Sequence, residues 1–146
     1  MKKRMISMSV VALFVATLAA VSVHAQSAGN ATISIPFEFV AGGKTFAAGD
    51  YYVTRNFDGS RAVLRIQSKI DHASIFLATH PVQSADIQDA TKLVFNKYGQ
   101  QHFLSQVWTA GRSTGEELNK SSRERGLQQQ LAQSKARPET VAIRSN

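Results

Sequence analysis

Cysteine is missing altogether from the 146 residues, proline occurs three times and tryptophan once. Without cysteine no disulfide can staple the fold and no thiolate is available to a metal, so packing alone must hold the chain together. The length excludes the large catalytic architectures, since a (β/α)₈ barrel typically needs about 250 residues. It does not exclude a core of its own: a domain of roughly 120 residues buries about two-thirds of the surface its unfolded chain exposes. Charged residues make up only 18%, and although cations exceed acids by seven they form no stripe of the kind that marks a nucleic-acid footprint. No apolar run reaches the roughly 20 residues needed to cross a bilayer as a helix.

The longest apolar stretch is the one that begins at Val10. Lys2, Lys3 and Arg4 precede it, Val10 to Val21 is broken only by Thr17, and Val23-His24-Ala25 puts small residues at −3 and −1 of a cut before Gln26. This is the pattern of a secretory signal peptide spanning residues 1–25. Three cations leave with it while all ten acids stay, so the mature chain is less basic than the whole. With no cysteine after the cut there is no acceptor for a lipid anchor. A soluble periplasmic or secreted protein of a bacterial envelope is expected, with no membrane span after cleavage.

Beyond the leader the pattern has period two. Ile33, Ile35, Phe37 and Phe39 alternate with Thr32, Ser34, Pro36 and Glu38, which predicts one half-buried strand over residues 31–40, with Pro36 at an edge or a bulge. Gly42-Gly43 turns the chain. Tyr51 to Phe57 and Ala62 to Ile66 flank Asp58-Gly59 as a hairpin, Ala73 to Thr79 is a further strand stopped by Pro81, and Leu93-Val94-Phe95 and Phe103 to Trp108 flank a loop containing Gly99. The fold class expected is all-β, a small antiparallel sandwich or partly open barrel of about six to eight strands. Residues 26–112 form its β domain.

After Arg112 the composition turns polar. Residues 113–146 are expected to be a C-terminal extension, partly helical or disordered. Ser121-Ser122-Arg123-Glu124 fits a capping box, Leu127 and Leu131 lie on one helical face, and Arg137-Pro138 should end a short, loosely attached helix over residues 122–135. Val141 and Ile143 supply at most a marginal strand. Removing everything after Arg125 is therefore expected to leave the folded body intact.

No constellation of catalytic groups stands out. Gly111-Arg112-Ser113-Thr114-Gly115 matches G-x-S-x-G, but that motif works where a strand turns into a helix and a histidine follows in the chain, and none follows Ser113. His72, His80 and His102 lack metal-ligand spacing, and Gly42-Gly43-Lys44-Thr45 lacks the first glycine of a phosphate loop. Glu38 alternates outward and Asp50 sits in a turn. No catalytic, cofactor-binding or metal residue is assigned, and no cofactor is expected. Aromatic residues usually fill a β core. A ligand or partner surface, if one exists, is expected at Tyr51, Tyr52, Tyr98 and His102. The tyrosine pair must point to opposite faces of its strand.

The segments Phe39-Val40-Ala41-Gly42, Ala48-Gly49-Asp50-Tyr51-Tyr52-Val53, Lys92 to Gly99 and Phe103 to Trp108 resemble a group of small exported β-rich bacterial proteins, abundant in Acidobacteria, that carry no assigned activity. The resemblance spans roughly residues 31–126. It departs from that group at Phe46-Ala47-Ala48-Gly49 and at His102. It implies export and a β-rich fold. The function expected is a non-enzymatic binding or structural module of the envelope, whose partner is an envelope protein, a surface polymer or a small ligand, and not a nucleic acid. The alternatives are a small secreted hydrolase using Asp50, His102 or Ser113, and a carrier holding a hydrophobic ligand inside a barrel.

Overall fold

The computed structural model describes residues 30–58, 61–134 and 136–145, so the predicted leader lies outside the described residues. Among the described residues ten strands and one helix follow in the order β1 (Asn30–Ile35), β2 (Phe39–Ala41), β3 (Lys44–Phe46), β4 (Gly49–Asp58), β5 (Arg61–Ser68), β6 (Ser74–Gln83), β7 (Lys92–Tyr98), β8 (Gln101–Trp108), β9 (Thr114–Leu118), α1 (Ser122–Gln133) and β10 (Glu139–Arg144). The protein is all-β, as its alternation predicts. The strands form one open sheet in which β1-β4-β5-β6-β9-β8 run side by side and β8 also carries β7 and β10 beyond it. Every pairing is antiparallel except β2 with β8.

The sheet curls until its inner face becomes the core. Ile33, Phe39, Phe46, Val53, Leu64, Ile66, Leu77, Leu93, Phe95, Leu104, Val107 and Leu118, drawn from nine strands, share one buried cluster, and Val141 and Ile143 of β10 pack against it. β1 and β10, at the two ends, approach within 8 Å at several Cα positions without exchanging a ladder. The result is a partly open barrel with a filled interior. Phe39 sits at its centre, 5.3 Å from Phe46, 5.1 Å from Tyr51 and 5.6 Å from Phe95 between ring centroids. Truncating such a side chain to alanine typically costs about 3–5 kcal/mol.

Three expectations change. The single strand predicted over residues 31–40 is two, because Pro36 has no N–H to continue a ladder; β1 pairs with β4, and after the break β2 pairs with β8. Pro81 does not stop its strand. β6 pairs with β5 as far as Ala78 and with β9 from Thr79 onward, so at Pro81 it has a partner on one side only, where a residue without a donor is tolerated.

The third change is the boundary at Arg112, which falls inside the sheet rather than at its end. Residues 114–118 form β9 between β6 and β8, and residues 139–144 form β10 against β7. The helix keeps its predicted start, with Ser121 as N-cap accepting from the Glu124 amide at 3.2 Å. It is not loose. Leu127 and Leu131 pack on Val40, Tyr98 and Phe103, and Val40 and Phe103 take the outer face of the sheet by alternation with the inward Phe39 and Leu104. These additions carry the strand count past the expected range.

Tight turns follow the glycines. Gly42 and Gly43, at φ 58° and 84°, join β2 to β3 as a two-residue loop. Among the described residues no helix is long and apolar enough to cross a membrane.

Candidate functional site

The four residues predicted to face a ligand do not share a surface. Tyr51 is buried at the core, its hydroxyl donating to the Ala47 carbonyl, and burial and then the Asp71 charge push its phenol pKa up. Tyr98 is buried on the opposite side of the sheet, beneath α1. Its hydroxyl donates to Glu124 Oε1 at 3.3 Å, and burial, then the Glu124 charge and that hydrogen bond, push its pKa up to about 12. His102 is half-buried and stacks on Phe37 at 3.9 Å between centroids, with Nδ1 lacking a hydrogen-bond partner among the described residues. Burial, then the Lys97 charge, lower its pKa, against a hydrogen bond that the ring donates to the Glu38 backbone carbonyl and the Glu139 charge. Only Tyr52 is exposed.

The residues of the hydrolase alternative are scattered as well. Asp50 is the second residue of β4, His102 lies near the start of β8, and Ser113 precedes β9, with no hydrogen bond joining any two of them among the described residues. The G-x-S-x-G match is a turn followed by a strand rather than by a helix. Gly111 makes the turn at φ 77°, and Gly115 makes room for Trp108, whose ring atoms would lie 2.7 Å from an added Cβ. No group of three or more potential metal ligands occurs among the described residues.

What the sheet does present to solvent is the outer face of β4, β5 and β6. Tyr51, Val53, Leu64, Ile66 and Leu77 point inward, so their neighbours Tyr52, Thr54, Arg65, Gln67, Ser74 and Phe76 point outward. Register orders them in two rows: Tyr52 opposite Gln67 opposite Ser74, and Thr54 opposite Arg65 opposite Phe76. Tyr52 and Phe76 are 41% and 61% exposed, high values for aromatic rings on regular strands. Strand spacings of about 4.8 Å and rises of about 3.4 Å per residue put their Cα atoms roughly 12 Å apart.

Each ring has its own cation. The Arg65 guanidinium carbon lies 5.6 Å from the Phe76 centroid and Lys69 Nζ lies 5.5 Å from that of Tyr52. Among the described residues the ion pairs are Arg55 with Glu116, Lys97 with Glu139 and Arg144 with Asp89, so neither cation of this face meets a carboxylate. Arg65 Nε is buried without a hydrogen-bond partner among the described residues. Lys69 belongs to the β5–β6 turn, which is pinned from within. The Ser68 amide donates to the Ala73 carbonyl at 2.9 Å, Asp71 Oδ1 accepts from the Ala73 amide at 3.1 Å, and His72 takes φ 57°. The hydrogen bond to Ser68, then that to the Ala73 backbone, holds the Asp71 carboxyl below the usual range.

Sequence reasoning found Tyr52 and missed Phe76, Arg65 and Lys69. Ile75, Phe76 and Leu77 are apolar in a row, so alternation alone does not say which of them faces out. The register with β5 decides it. A cleft of about 340 Å³ lined by Tyr98, Gly99, Leu127, Gln130, Leu131 and Ser134 lies between α1 and the β7–β8 turn.

No family profile, curated protein or solved structure matches the chain.

Proposed function

We propose that the protein is an exported, non-enzymatic binding module of the bacterial cell envelope, and that it holds a surface polymer against the outer face of β4–β6. The observation that carries this reading is the pair of exposed rings, Tyr52 and Phe76, set on alternate strands of a regular ladder and each accompanied by a cation. Large apolar groups on a monomer's surface are ordinarily scattered, whereas two aromatic rings ordered on one face suit an extended ligand lying across the strands. The leader supports an envelope setting, as does the resemblance to small exported proteins. The carrier alternative is disfavoured by an interior occupied by Phe39, Phe95, Ile66 and Leu93.

Cosedimentation with the insoluble polymer fraction of bacterial envelopes tests the reading. The wild-type protein is expected in the pellet, and the Tyr52→Ala/Phe76→Ala double variant is expected in the supernatant. Both side chains are exposed, so the variant should unfold at the wild-type denaturant concentration within about 0.5 kcal/mol per site. Equal pelleting of the two proteins would refute the assignment of this face.

A further inference from the structure

We infer that the ligand class of the β4–β6 face is an acidic polysaccharide, one whose sugar rings carry carboxylates. This rests on the reading of that face as a polymer-binding surface and adds the chemistry the polymer must have. Three observations converge on it.

The first is ring geometry. Sugar rings expose patches of C–H that stack on aromatic faces, and the roughly 12 Å between the Tyr52 and Phe76 Cα atoms suits two sugars with one residue between them along a chain. The second is charge. Arg65 and Lys69 are attached to the same two rings and have no carboxylate partner among the described residues. The cross-strand neighbours of Arg65 are Thr54 and Phe76, neither of them an acid. A cation beside a stacking ring, with its protein counter-ion missing, is placed to meet a carboxylate on the stacked sugar. The acid nearest to Lys69 in the chain, Asp71, turns its carboxylate back to the Ala73 amide.

The third observation lies between the rings. Gln67 stands opposite Tyr52 on β5, two residues from Arg65 on the same face. An amide in that position supplies both a donor and an acceptor to sugar hydroxyls. Both rings, Arg65 and the amide thus lie on three adjacent strands joined by an unbroken register, and Lys69 stands in the turn just past the end of β5. A single-stranded nucleic acid also combines stacking with negative charge. Tracking its phosphate backbone calls for a basic stripe, and the cations of this chain form none.

Calorimetric titration of the purified protein with polygalacturonate, with a neutral unbranched glucan and with single-stranded DNA separates these possibilities. Polygalacturonate is expected to bind at low ionic strength and to weaken as salt is added. Tyr52→Ala and Phe76→Ala are each expected to weaken it by about tenfold, equivalent to about 1.4 kcal/mol. Arg65→Gln should weaken it comparably and flatten the salt dependence. Binding of the neutral glucan at equal strength, still dependent on Tyr52 and Phe76, would overturn the acidic class while leaving a polymer-binding face in place. Equal binding of DNA would overturn it in favour of a general polyanion surface. Binding of none of the three, with pelleting in envelope polymer retained, would also overturn the class. Loss of that pelleting as well would end both readings.

Discussion

One carboxylate ranks among the largest wholly buried side chains. Glu116 is 1% exposed, pairs with Arg55 inside the barrel, and has its pKa raised by burial against the opposing pull of Arg55 and then Arg112. Removing a charge from water costs several kcal/mol, so this pair is retained at an expense that hydrophobic packing would not incur. A carboxyl whose pKa is raised on folding helps the folded state fully below its unfolded pKa, and that contribution is lost as pH rises through the folded value. Arg55→Met strips Glu116 of its nearer cation and raises the carboxyl further. The variant is expected to lose about 3–5 kcal/mol at neutral pH and progressively less on acidification, as Glu116 protonates and ceases to need a counter-ion. Urea unfolding from acid to neutral pH reads both effects, and Arg55→Met/Glu116→Leu should recover most of the loss. A pH-independent penalty would show that Glu116 is not charged in the folded protein. Glu116 also explains why β9 is hard to find in the sequence. Its inward positions include a carboxylate, and its Gly115 makes room for Trp108, so the hydrophobic alternation that identifies β4 and β5 is absent there.

At the scale of the element, the helix shows what a local signal delivers and what it omits. Ser121 caps α1 as the S-x-x-E spacing predicts, because that hydrogen bond involves residues three apart. The destination of the Glu124 side chain is not local. In place of a return to the cap, Oε1 accepts from Asn96 Nδ2 at 2.9 Å and from the Tyr98 hydroxyl, fastening the first turn of the helix to β7. Tyr98, expected at the surface, is thereby covered. Glu124→Gln removes the charge that adds to burial in holding the phenol up at about 12. Spectroscopic titration should show one tyrosine ionising last in the wild type and earlier in the variant, still above the ordinary value near 10 because burial, the larger cause, remains. The stability linked to this phenol is present below its unfolded pKa and is lost as pH climbs toward the folded one, so the wild type should lose stability over a wider alkaline span than the variant. An unshifted titration would place Glu124 elsewhere than against Tyr98. Phe76 is legible only at this scale too, since its outward direction follows from pairing with Arg65.

For the molecule as a whole, the question is what completes the curl of the sheet. The central strands, β4, β5, β7 and β8, are close to their neighbours in the chain and follow from alternation and turn residues. The strands that finish the barrel pair over long distances, and such pairing leaves no mark on local sequence. Val141 and Ile143 are two apolar residues in a polar tail, too few to establish a period, yet β10 lays them opposite Phe95 and Leu93, which have no exposed surface. Loop closure over so long a separation grows only slowly with chain length, so the ladder forms once the core residues reward it. The expectation that the tail is dispensable is thereby reversed. Deleting residues 137–146 uncovers one edge of β7 and the apolar flank of the core beside β1, the strand that β10 approaches. Burying an aliphatic side chain contributes about 1.5–3 kcal/mol, so the loss of two half-buried ones should lower stability by about 1.5–3 kcal/mol, beyond the small share of the exposed Lys97–Glu139 ion pair. Urea unfolding of the truncated protein is expected at a clearly lower midpoint, with new binding of a hydrophobic dye at the opened seam. A midpoint equal to that of the full chain, with no dye uptake, would mean that the barrel is complete without its last strand.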